Sequence, residues 1–84
     1  MLTIPLPLDS NANIGDFIEV RGRNTGGWRL SQPESATVIH GTTNTTTGTA
    51  GSVSSTSQYD SVRIEKIGPN EWVIIQSTGT LSIV

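Results

Sequence analysis

Apolar side chains recur in this chain with a period of two, and no segment shows a convincing period of 3.6. Leu2, Ile4, Leu6 and Leu8 alternate with Thr3, Pro5 and Pro7, and Ile18 and Val20 alternate with Glu19 and Arg21. Val62 and Ile64 stand between polar neighbours, and Leu81 and Ile83 repeat the spacing near the end. A period of two belongs to a strand with one buried face. Turn chemistry separates these segments at Asn11 to Asp16, at Asn24-Thr25-Gly26-Gly27, at Gly68-Pro69-Asn70 and at Gly79. Trp28 and Leu30 share one face of a short strand that stops before Pro33, and Ala36 to His40 forms a further, central strand. The pattern predicts one all-β domain over residues 1–84, a small antiparallel sandwich or barrel of about seven short strands. Met1 stands directly before a strand, which suits a domain taken from a longer protein.

Pro5 and Pro7 carry no N–H, so the first strand belongs at a sheet edge or in an extended arm that crosses onto a neighbouring subunit. Size points the same way. A chain of 84 residues buries only roughly 60–65% of its unfolded surface, so a lone core is marginal. Apolar residues make up 33% of the chain and there is no cysteine, which removes disulfides and thiolate-bound metal as sources of stability. Oligomerisation is the common remedy that remains. Trp72, Val73, Ile74 and Ile75 form an unbroken apolar run, which predicts burial on both faces of that strand, as at a subunit interface.

Between Glu34 and Asp60 there is no Asp, Glu, Lys or Arg, and Gly41 to Ser57 is almost wholly Thr, Ser and Gly. Such a composition reads either as a flexible linker or as an ordered segment of hydrogen-bonded threonines. Threonine is β-branched and has strand propensity, and the run lies between strands instead of between domains. The ordered reading is preferred, with Gly48 and Gly51 needed for positive φ or for close approach of two backbone segments.

Several function classes are excluded by what the chain lacks. Net charge is −2, and the basic residues Arg21, Arg23, Arg29, Arg63 and Lys66 form no dense run, which argues against nucleic-acid binding. The longest apolar run is far too short to cross a bilayer, so no membrane insertion is expected. His40 is the only histidine and reads as an ordinary strand residue with a satisfied hydrogen bond. No metal-ligand spacing surrounds it, and Asp60 and Glu65 are isolated. Neither a nucleophile turn nor a phosphate-binding glycine pattern is present. The expected sets of catalytic, cofactor-binding and metal-binding residues are therefore empty, and no enzyme is expected. Trp72, inside an apolar strand, reads as core; Trp28, between Gly27 and Arg29, reads first as core or interface and second as a platform for a sugar ring. With Arg29 and Arg23 it forms the candidate ligand or glycan contact.

Val38-Ile39-His40-Gly41, Thr46-Thr47-Gly48, Gly51-Ser52-Val53, Ser55-Thr56, Tyr59-Asp60-Ser61-Val62, Trp72-Val73 and Gly79 before a terminal apolar strand form a spaced pattern. This pattern, spanning Gln32 to Val84, resembles the small β-structured modules at the ends of bacteriophage tail fibres. The resemblance implies a homotrimeric fibre-tip or fibre-cap domain, on a virion tail fibre or an extracellular surface, that attaches to a host or holds the fibre together. It carries over no catalytic residues. A three-fold axis brings identical residues together, and a charge-free Thr/Ser/Gly run suits that place. The candidate interface comprises Leu2, Ile4, Leu6, Thr46, Thr47, Val53, Trp72 and Ile74. Expected partners are further copies of the chain and a cell-surface glycan. The competing reading is a carbohydrate-binding, lectin-like module attached to an enzyme or surface protein.

Overall fold

A computed structural model describes residues 1–23 and 25–84. Thr25 and Gly26 lie in the expected turn, while Asn24 falls outside the described residues. Eight strands follow in chain order: β1 (Leu2–Pro5), β2 (Phe17–Arg21), β3 (Trp28–Ser31), β4 (Val38–His40), β5 (Ser52–Ser54), β6 (Ser61–Gly68), β7 (Glu71–Thr78) and β8 (Ser82–Ile83). A single 3-10 turn, Asp9–Asn11, is the one helical element among the described residues. The first sheet has the order β1-β3-β5-β8 and the second the order β2-β6-β7-β4. Buried residues of both sheets, including Trp28, Leu30 and Val53 from the first and Ile39, Val62, Ile64 and Trp72 from the second, form one apolar cluster.

The all-β expectation stands, in the form of two open sheets; neither sheet closes into a barrel. The antiparallel expectation is corrected at two places. β1 runs parallel to β3, with Leu2 opposite Trp28, and β4 runs parallel to β7, with Ile39 opposite Trp72. β4 is consequently an edge strand, not the central strand expected at Ala36 to His40. The additional strand, β5, arises inside the Thr/Ser/Gly run and sits between β3 and β8, where Val53 is fully buried.

The hairpin at Gly68-Pro69-Asn70 forms as the sequence predicts. Proline fixes a negative φ, and Asn70 takes φ 56, the left-handed conformation that asparagine tolerates well. The run Trp72 to Ile75 departs from the expected burial on both faces. Pairing between β6 and β7 shifts register between Arg63 and Ile64, so Ile64 faces Ile74 while Arg63 faces Gln76. Ile75 is the extra residue of that β-bulge and is 48% exposed. Trp72 alone of the four is fully inside; Val73 and Ile74 are half-buried.

Two buried polar side chains fasten loops to this frame. Lys66 follows Val62 and Ile64 on the inner face of β6 and is only 4% exposed. Its ammonium pairs with Asp9 Oδ1 at 2.6 Å and donates to the carbonyl oxygens of Asp9 at 3.0 Å and Ala12 at 2.9 Å. Three acceptors for three N–H donors leave this buried cation fully satisfied. Gln32 does the corresponding work beside β4. The two N–H groups of its Nε2 are shared among the carbonyls of Thr37 at 2.8 Å, Thr46 at 2.9 Å and Gly48 at 2.7 Å, and its Oε1 accepts from Thr45 Oγ1.

Candidate functional site

The first and second sheets leave two open flanks between their edge strands. On one, β8 borders the bulged part of β7 and the Gly41–Thr43 loop that leaves β4. They enclose a groove of about 510 Å³ that contains Ile74, Ile75, Leu81 and Ile83 together with Thr42, Thr43, Gln76 and Ser77. Its lining includes no charged residue. The bulge at Ile75 sets an apolar side chain toward solvent here, and the two-residue β8 is too short to cover it. On the opposite flank β1 and β2 border a second groove, of about 320 Å³, lined by Leu2, Ile4, Val20, Arg21, Arg23 and Trp28 among others. Leu2 is 66% exposed there.

The Thr/Ser/Gly run shapes the first flank because it is ordered. Thr45 is buried, accepts the Ile39 N–H on its Oγ1 at 2.9 Å and donates its own N–H to the Ile39 carbonyl at 3.0 Å. Gly48 takes φ +105, and a Cβ at Gly51 would collide with the Thr46 carbonyl and the Gln32 amide. Both glycines thus meet the expected need, one for left-handed backbone and one for close approach. Thr42, Thr43, Thr46 and Thr47 are exposed.

The candidate interface residues divide into two groups. Leu6, Val53 and Trp72 belong to the chain's own core and offer no surface to a partner. This corrects their assignment: period-two alternation identifies a buried face without saying which chain buries it. Leu2 and Ile4 lie on the β1/β2 flank, Ile74 on the β8/β7 flank, and Thr46 and Thr47 on the loop between.

Among the candidate ligand contacts, Trp28 is 3% exposed and donates its indole N–H to the Asp60 carbonyl at 3.0 Å. Its ring is core, the first of the two readings, so it presents no free face for stacking. Arg29 is exposed, with Nε 3.2 Å from Ser54 Oγ, and is not brought together with Arg23, which borders the β1/β2 groove. Two aromatic rings are exposed instead, Tyr59 and Phe17, and Phe17, 57% exposed, has the Arg63 guanidinium 4.2 Å from its centre. Beside it a polar hollow of about 140 Å³ is lined by Glu19, Arg21, Ser61, Arg63, Gln76 and Thr78 on the outer face of the second sheet. Alternation of Phe17, Glu19 and Arg21 with Ile18 and Val20 carries the signal for that face.

Two carboxylates are held below their ordinary range. Asp9 is lowered first by its hydrogen bond to Lys66 and then by the Asn70 N–H. Asp60 is lowered by the N–H groups of Thr56 and Ser57, at 2.8 and 2.9 Å on one oxygen. Both keep the charged form by hydrogen bonding and serve to tie chain segments together. His40 is half-buried, with Nε2 4.0 Å from Glu71 Oε1. Among the described residues no three His, Cys, Asp or Glu side chains are grouped to hold a metal, and no helix is long and apolar enough to cross a membrane.

Comparison of the chain with protein-family models, with curated proteins and with solved structures gave no match.

Proposed function

We propose that this domain is a non-enzymatic structural and recognition module that works as a homotrimer, of the kind found as a tip or cap of a phage tail fibre. The observation that carries the proposal is the pair of open flanks, each with apolar side chains in contact with solvent on a chain short of core. Ile75, Leu81 and Ile83 on one flank and Leu2 and Ile4 on the other gain a buried environment only from a partner. Apolar area removed from water contributes roughly 25 cal/mol per Å², and this drives association as it drives folding. In that role the domain stands on a virion fibre or another extracellular surface and presents its outer faces to a host. Sedimentation equilibrium at micromolar concentration tests it. A species three times the 8.9 kDa chain mass is expected, and a monomer throughout overturns the proposal.

A second reading, a carbohydrate-binding module, is favoured by the outer face of the second sheet. Exposed Phe17, capped by Arg63, adjoins the hollow of Glu19, Gln76 and Thr78. Carboxylate, amide and hydroxyl groups beside an aromatic ring suit the hydroxyls and C–H face of a sugar. A glycan array with the wild type and Phe17→Ala tests this reading; binding that is lost in the variant supports it, and the absence of any bound glycan removes it.

A further inference from the structure

Four strands end the two sheets, and they differ in whether a further strand could pair with them. Leu2 and Leu6 of the β1 segment donate to the carbonyls of Gly27 and Ser31, at 3.1 and 3.0 Å. The alternate positions Thr3, Pro5 and Pro7 therefore face outward, and at two of the three no N–H exists. On β4 the outward residue is Ile39, whose N–H and carbonyl are both taken by Thr45. These two edges are closed.

Among the described residues the other two are open. Ser52 and Val84 exchange hydrogen bonds of 3.2 and 3.0 Å, which turns the main chain of Leu81 and Ile83 away from β5 toward the groove side. On β2, Gly22 donates to Asp60 and Asp16 accepts from Lys66, both at 2.8 Å, which turns the main chain of Phe17, Glu19 and Arg21 outward. Each flank thus combines one open edge with one closed edge: β8 with β4, and β2 with β1.

We infer that copies of this chain join head to tail, the β8 edge of one copy pairing in parallel with the β2 edge of the next. The inference rests on the trimeric reading above and adds which surfaces meet. In a parallel pair, an outward-facing main-chain group lies opposite a residue whose own groups face away. Ile83 then stands opposite Ile18 or Val20 of the next copy, so one row of half-buried apolar side chains continues into another. Antiparallel pairing would set Glu19 opposite Leu81 or Ile83 and drive a carboxylate into the uncharged groove, which is costly. Two-fold pairing of β8 with β8 covers one flank and leaves Leu2 and Ile4 bare. Head-to-tail pairing covers both flanks with one kind of contact, and it closes as a three-membered ring where each contact turns the chain by a third of a revolution. The closed edges β1 and β4 then face each other across the joint, where no strand pair is required.

The chain has no cysteine, so engineered thiols report on this contact directly. Ser82→Cys combined with Glu19→Cys, or with Phe17→Cys for the adjacent register, is oxidised mildly and run on a non-reducing denaturing gel. Covalent dimers and trimers are expected from at least one double variant, and none from the single variants. Ile83→Pro, which removes an outward N–H and trims the half-buried side chain beside it, is expected to weaken association at least about tenfold while keeping the β-sheet circular dichroism. Covalent dimers from Ser82→Cys alone would establish two-fold pairing and overturn the inference. A trimer by sedimentation that neither double variant cross-links overturns it while leaving the trimeric reading intact. A monomer throughout overturns both.

Discussion

Lys66 and Gln32 perform the same task with different chemistry. Each is a buried polar side chain that gathers carbonyl oxygens from a neighbouring loop, Lys66 from Asp9 and Ala12, Gln32 from Thr37, Thr46 and Gly48. The cation requires a carboxylate and has one in Asp9. The amide is neutral and holds a loop that has no charge to offer. Burying a charge is tolerable only with full pairing, whereas a buried amide needs hydrogen bonds alone. The difference gives the molecule an ionic end, where β6 holds the 3-10 turn, and a neutral end, where Thr45 closes the β4 edge, with Asn70 bonded to both Asp9 and Thr37 between them.

The largest expected effect comes from breaking the ionic end. Lys66→Met leaves the Asp9 and Ala12 carbonyls without their donor and the Asp9 carboxylate with the Asn70 N–H but no cation. The loss should be roughly 1–3 kcal/mol, from the carbonyls left without a donor, because the Asp9 carboxylate reaches water. Chemical denaturation of the variant measures it, and a loss below about 1 kcal/mol would show that Lys66 is not the anchor.

Gln32→Met, similar in length and volume, tests the neutral end and should cost roughly 2 kcal/mol, since buried carbonyls lose their donor. Amide exchange should accelerate over Thr45 to Gly48 and remain slow at Asp9 to Ala12. Acceleration at both ends alike would mean that the two ends are not independent.

Acid should separate the two ends without any substitution. Asp9 and Asp60 have folded values below 3.8, so each stabilises the fold above that ordinary value, and the contribution disappears as pH falls through and below it. Hydrogen exchange followed from pH of about 5 down to about 2 should show protection lost around Asp9 to Ala12 and Thr56 to Asp60. Thr45 to Gly48, held by groups that do not titrate, should keep protection relative to the intrinsic rate.

The smallest effect belongs to Thr47→Glu. Thr47 is exposed and makes no side-chain hydrogen bond among the described residues, so the fold should change by less than about 0.5 kcal/mol. Any larger effect read by sedimentation at neutral pH would place Thr47 near a symmetry axis, where carboxylates accumulate.

Period-two alternation made most strands legible, as at Val62 and Ile64, and turn chemistry located the Pro69-Asn70 hairpin. The order of the Thr-rich run was legible too, from its lack of charge and its β-branched content. The same alternation places Lys66 on the inner face, two residues after Ile64, yet a lysine invites the opposite assignment until its partner Asp9 is seen beside it. Parallel pairing of β1 with β3 and of β4 with β7 leaves no local trace, because it joins segments that are far apart in the chain. Nor does a run such as Trp72 to Ile75 declare its bulge, since the register shift depends on the partner strand. The surfaces were legible only as composition. Which of Leu2, Val53 and Ile74 remains outside is decided by the second sheet.

Only β6 and β7 are hairpin neighbours; every other strand pairs with one that is distant in the chain. β2 waits for β6, β4 waits for β7, and β5 waits for β8. During synthesis the first half of the domain therefore leaves the ribosome with few lasting partners, and sheet closure waits for β6, β7 and β8. Loop-closure entropy must be met before these distant contacts stabilise anything, which places folding in the slow regime of roughly milliseconds to seconds. Through that interval Pro5 and Pro7 keep the edge of β1 and its extension from pairing with other nascent chains.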